Sequence, residues 1–86
     1  MNHKNRYRTR NDIIRHILET ANGNETKKTK IMLKAFLSYY QMKEYLTVLT
    51  DRDLLRHDLD KQTFKTSEKG LRFLEAYNQM DAVIKA

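Results

Sequence analysis

The chain has 86 residues, 40% hydrophobic and 33% charged, with a formal net charge of +6 and no cysteine. That length supports one small domain with a thin core, and the lack of cysteine excludes disulfides, thiolate metal sites and cysteine catalysis. No apolar run approaches the ~18 residues of a membrane span, and no signal-peptide core follows the N-terminus, so a cytoplasmic protein is expected. The charge is polarised: residues 1–34 hold nine basic groups against three acids, a surplus of six, whereas residues 35–86 hold eight of each. A polyanion is the partner such a surface attracts.

Residues 1–9 carry three basic groups, Lys4, Arg6 and Arg8, beside His3, and no apolar period, which predicts a flexible basic arm. Asn11 is the expected N-cap of a first helix, with Asp12 in its first turn. Ile13, Ile14, Ile17, Leu18 and Ala21 form its apolar stripe, and Asn22-Gly23 stops it. A second, short helix is expected to start at Glu25 or Thr26, with Ile31, Met32, Ala35 and Phe36 facing the core. Lys27, Lys28, Lys30 and Lys34 lie near its start or on its exposed side. Cations at a helix N-terminus oppose the dipole, a conflict that a bound phosphate relieves.

Ser38 and Gln41 stand in capping-box spacing and predict the start of a third helix. Met42, Tyr45, Leu46 and Leu49 repeat at the interval of one buried stripe. Tyr40, Lys43, Glu44, Thr47 and Asp51 fall on the opposite, hydrogen-bonding side. After Asp53, residues 54–59 are strand-like, residues 58–62 are a polar turn, and Thr63-Phe64-Lys65-Thr66 alternates as a second strand. Thr66 or Ser67 then caps a last helix over about 67–85, with a stripe of Leu71, Leu74, Tyr77, Met80 or Asp81, and Ile84. At about 28 Å that helix outruns a small core, so its far end is a candidate dimer contact. Phe73 and Val83 lie off the stripe. The order helix, helix, helix, hairpin, helix gives the expected fold class: mainly α with a small β-hairpin (α+β), a winged helix-turn-helix.

The run Thr26-Lys27-Lys28-Thr29-Lys30-Ile31-Met32-Leu33-Lys34-Ala35-Phe36 and its continuation through the third helix, with Leu54-Leu55 and Thr66-Ser67-Glu68-Lys69-Gly70, resembles small archaeal winged-helix DNA-binding proteins. These include ten-kilodalton chromatin-associated proteins and related transcriptional regulators, and the likeness covers about residues 11–78. It implies double-stranded DNA as ligand, and often a homodimer through the C-terminal helix (here Leu74, Tyr77, Met80 and Ile84). Ser38, Tyr39, Tyr40, Lys43 and Glu44 match the start of that family's recognition helix, and Lys27, Lys28 and Lys30 its basic second helix. Two departures stand out: Asp53 occupies a position usually held by glycine, and an end at Ala86 leaves no room for a long coiled coil.

On this reading a nucleoid-associated regulator or chromatin protein grips phosphates with Lys27, Lys28, Lys30, Lys34 and Arg15, aided by Ser38. The arm arginines Arg6, Arg8 and Arg10 are suited to a narrow minor groove. Tyr39, Tyr40, Lys43, Glu44 and Thr47 are the expected base contacts, although core packing is the competing role for both tyrosines. Asp58 and Asp60 weaken the hairpin tip as a phosphate contact, leaving Arg56 and Lys65 at its base. His3, His16 and His57 share no metal-ligand spacing, and no Gly-rich phosphate loop exists. Neither an enzyme nor a cofactor is expected. The competing reading is a winged-helix module for protein partners, motivated by Glu44, Asp51 and the acidic hairpin tip.

Overall fold

The computed structural model describes residues 8–85. Its elements are α1 (Arg10–Thr20), β1 (Thr26–Lys27), α2 (Lys28–Lys34), α3 (Tyr39–Asp51), β2 (Leu55–Asp58), β3 (Thr63–Thr66) and α4 (Glu68–Lys85). The expected winged helix is present, but its hairpin belongs to a three-stranded antiparallel sheet of order β1-β3-β2. Thr26 is therefore a strand residue, not a helix cap. It pairs with Phe64, is buried, and donates its hydroxyl to the Asn24 carbonyl at 3.0 Å.

The N-cap of α1 is Thr9, two residues before the expected Asn11. Thr9 accepts from the Asp12 N–H at 3.0 Å while Asp12 accepts from the Thr9 N–H at 3.1 Å, a reciprocal capping box. Only the Thr9–Asp12 spacing allows both bonds. Thr9 is thus part of the fold, and the rest of the arm, residues 1–7, lies outside the described residues. The Ser38–Gln41 box at the start of α3 forms as expected.

Helices α2 and α3 end alike. Leu37 donates to Met32 (2.9 Å) and Phe36 to Leu33 (3.3 Å); Leu54 donates to Leu49 (2.8 Å) and Asp53 to Thr50 (3.0 Å). Both are Schellman closures, which require a left-handed residue just past the helix. Those residues are Phe36 (φ 55°) and Asp53 (φ 62°), neither of them glycine. The first closure turns Phe36 outward, 77% exposed, and Leu37 inward. The expected core role of Phe36 is therefore filled by Leu37.

One core joins Ile13, Ile17, Leu18 and Ala21 of the α1 segment to Ile31, Ala35 and Leu37, the α3 stripe Met42, Tyr45, Leu46 and Leu49, and Leu55, Phe64 and Leu74. Thr66 and Ser67 stitch its ends together. The Thr66 N–H reaches the Ala21 carbonyl (3.0 Å) and its hydroxyl the Leu18 carbonyl (2.7 Å). The Ser67 N–H donates to Leu54 (3.1 Å), and its hydroxyl donates to Asp53 (2.6 Å) while accepting from the Gly70 N–H (3.0 Å).

Gly70 presses so close that a Cβ there would sit 2.4 Å from the Leu54 carbonyl oxygen. This contact fixes the rotation of α4. The row Gly70, Phe73, Leu74, Tyr77 faces inward, and Leu71, expected on the stripe, is 40% exposed. Further along, the Tyr77 hydroxyl donates to the Asp12 carboxylate, and the Arg15 guanidinium lies 5.5 Å above the Tyr77 ring.

Gly70→Ala should destabilise the protein by about 2 kcal/mol in urea unfolding, overpacking outweighing the ~1 kcal/mol that alanine gains in a helix. The Tyr77 bond chiefly, with the Thr9 backbone N–H, holds the Asp12 carboxyl below its ordinary 3.8. The same bond chiefly raises the Tyr77 hydroxyl above 10.0. A depressed carboxyl contributes stability above its unfolded value and loses it as pH falls through the folded one; a raised phenol contributes below its unfolded value and loses it as pH rises through the folded one. Tyr77→Phe should thus cost up to about 1 kcal/mol near pH 7, and thermal unfolding should show that gap closing in acid below the ordinary carboxylate range.

Candidate nucleic-acid interface

The capping box and the buried stripe leave one face of α3 in solvent. Tyr40, Lys43, Glu44 and Thr47 are exposed on it, as expected, and Tyr39, for which core packing competed, is exposed too. Neither tyrosine packs in the core: Tyr39 is 50% and Tyr40 81% exposed, and their rings meet edge-on at 6.0 Å. The Lys43 Nζ stands 5.5 Å over the Tyr39 ring, a cation–π contact that stiffens the first turn. Tyr45 is buried, and the Arg10 guanidinium sits 5.2 Å above its ring.

Arg8 reaches the same region from another direction. It donates to the Phe36 carbonyl at 3.2 Å, at the turn between α2 and α3. Next to that turn His16 meets Phe36 edge-on at 6.0 Å. Burial first, then the positive charges of Arg15 and Arg8, holds the His16 imidazole below its ordinary 6.5. Two of the three arm arginines are therefore gathered around the helix-turn-helix; Arg6 lies outside the described residues.

The remaining phosphate candidates divide. Lys28, Lys30 and Lys34 are exposed on α2 and, among the described residues, enter no ion pair. Lys27 donates instead to the Lys61 carbonyl at 3.1 Å, and Lys61 pairs with Glu25 at 3.3 Å. Lys27 thus ties β1 to the hairpin tip. It is also the N-cap of α2, with no side-chain cap hydrogen bond. Arg15 is held by Glu19 at 2.7 Å and by Tyr77, so it braces α1 against α4. The Ser38 oxygen already accepts the Gln41 N–H, leaving only its O–H to donate outward.

An open cleft of about 280 Å³ separates the second half of α3 from the hairpin, lined by Leu46, Thr47, Thr50, Asp51, His57 and Phe64. The His57 ring stacks on Phe64, centroids 4.2 Å apart and 4° from parallel. Because side chains alternate along a strand, Arg56 and Lys65 point to the other face of the hairpin, away from this cleft. Phe36 and Leu33, 77% and 69% exposed, add an apolar edge that sequence reasoning missed. The signal was available: with Ser38 as cap, only two apolar residues remain to close α2, and one has to face outward.

The intramolecular packing also trims the expected dimer surface. Leu74 is 5% exposed, inside its own core, and Tyr77 is engaged by Asp12. Met80 and Ile84 remain free of the core, joined by Val83, at 64%, 78% and 77% exposure. Among the described residues no group of three His, Cys, Asp or Glu side chains could hold a metal, and no helix is long and apolar enough to cross a membrane.

No curated protein matches the chain. A family model described as winged helix-turn-helix matches residues 7–85, nearly its whole length. The chain belongs to the winged helix-turn-helix family, whose fold serves DNA binding in general and is typically non-enzymatic.

Proposed function

We propose that the protein binds double-stranded DNA as a transcriptional regulator or chromatin-associated protein, with α3 in the major groove. One observation carries this reading. The capped, stiffened start of α3 presents Tyr40, Lys43, Glu44 and Thr47 to solvent, directly after a short helix bearing three lysines without an ion pair among the described residues. An exposed helix face next to a cationic shoulder fits a groove flanked by phosphates.

Lys28, Lys30 and Lys34 supply attraction, with Arg8 and Arg10 beside the turn. Discrimination comes from α3, where Lys43 can donate to guanine and the Thr47 methyl can pack on a thymine methyl. The α3 face carries Lys43 against Glu44 and Asp51, so it adds little net attraction. An apolar strip of Met80, Val83 and Ile84 supports a homodimer through the last turns of α4.

Duplex binding should weaken steeply with salt, and each of Lys28→Gln, Lys30→Gln and Lys34→Gln should lower the log–log slope by about 1. Thr47→Ala should leave the slope intact and cost about 1 kcal/mol at thymine-bearing sites only. A flat salt dependence in fluorescence anisotropy would overturn the reading. Sedimentation should show a concentration-dependent dimer that Val83→Asp abolishes without changing the monomer's circular dichroism.

A further inference from the structure

Phe36 holds its bend at two disadvantages. Its backbone is left-handed, with φ 55°, a conformation that glycine or asparagine adopts more cheaply than an aromatic residue. Its ring is 77% exposed, so the core gains little from it. Among the described residues its one ring contact is edge-on to His16, with centroids 6.0 Å apart. Strain held at a residue whose side chain serves the fold so little is explained by a use outside the fold.

The surroundings of the bend narrow that use. The Phe36 carbonyl accepts from Arg8 at 3.2 Å, and its N–H donates to Leu33 at 3.3 Å. The backbone of the bend is thus satisfied, while the ring stands in solvent. Lys34 lies two residues before it and Ser38 two residues after, both exposed. Leu33, 69% exposed, carries the apolar edge back along α2. On the DNA reading Arg8, Lys34 and Ser38 all lie against phosphates, and Phe36 is set among the three. A nucleic-acid strand alternates charged phosphates with sugars, and the sugar is the part that an apolar ring can cover. In RNA that sugar bears a 2′-hydroxyl, which a covering ring would strip of its water without offering a hydrogen bond in return.

We infer that Phe36 is a sugar-packing residue that favours DNA over RNA, an inference that rests on the DNA reading above. The lysines and arginines attract either backbone, because the phosphates are the same in both. The Phe36 ring adds a contact that the deoxyribose accepts and the ribose does not. Base discrimination stays with α3; Phe36 selects the kind of backbone.

The test uses the full chain with a short DNA duplex and an RNA duplex of the same sequence, in fluorescence anisotropy at low salt. Phe36→Asn keeps the left-handed bend and relieves its strain. It should unfold about 2 °C or more above the wild type, yet bind DNA about fivefold more weakly. Its salt slope should be unchanged, and its RNA affinity should stay within about twofold of the wild type. Phe36→Leu, apolar and still strained, should keep its DNA affinity within about twofold. The A-form groove of RNA handicaps α3 in every variant alike, so a change in the DNA-to-RNA ratio reports the ring.

Unchanged DNA affinity in Phe36→Asn, or equal losses on DNA and RNA, would overturn the inference. So would a Phe36→Asn protein that unfolds at a lower temperature, since the ring would then serve the fold itself. Wild-type protein with a flat salt dependence would remove the DNA reading and this inference together. A steep wild-type salt dependence with an unaltered Phe36→Asn variant would remove this inference alone.

Discussion

The end of α1 and the bend that follows α3 both run into the protein, and their carbonyls must find donors there. The segment from Thr66 to Gly70 supplies them. Thr66 bonds the carbonyls of Leu18 and Ala21, and Ser67 those of Asp53 and Leu54. Gly70 then lets α4 approach the Leu54 carbonyl at a distance that no larger residue permits. Five residues thus lock the position of the hairpin, the exit of the reading helix and the rotation of the last helix. The order threonine, serine, two free positions and glycine has a physical meaning: hydroxyl, hydroxyl-plus-cap, and space.

From that lock follows the division of labour on the surface. The hairpin is held beside α3, leaving a cleft between them and two opposed faces on the sheet. Cations that looked equivalent along the chain have different roles in space. Arg15 and Lys27 brace the fold, Lys28, Lys30 and Lys34 are uncommitted, and Arg8 and Arg10 lean on the turn and on Tyr45. Charge counting alone describes the total attraction and says nothing of this allocation, because hydrogen bonds to backbone carbonyls 28 and 34 residues away decide it.

Much of the fold was legible in sequence because the long helices obey one period. The α3 stripe and its cap appear as expected, and so do the α1 stripe, the hairpin and the last helix. What escaped was set by contacts remote in the chain. Two residues of β1 are too few to show a period, and Thr26 in a lysine-rich run looks like a helix start. On α4, the rows containing Leu71 and Phe73 are both consistent with a helical stripe; only the approach of Gly70 to Leu54 selects Phe73. Of the candidate site, the exposed α3 residues could be named in advance, whereas the bracing roles of Lys27 and Arg15 could not. Asp53 does sit in the left-handed conformation that glycine would hold more cheaply.

Among the described residues three bends, at Phe36, Asp53 and Gln62, take left-handed backbone angles without glycine. Each strains the native chain by about 1 kcal/mol, but a side chain there also narrows what the unfolded chain can explore. The molecule therefore trades a little native comfort for bends with few alternative conformations. Its reading helix is bounded by two of them, at Phe36 before it and Asp53 after it. Those joints are corners with few alternatives open to them when the chain unfolds, so the cost of setting the two ends of α3 is lowered before folding begins.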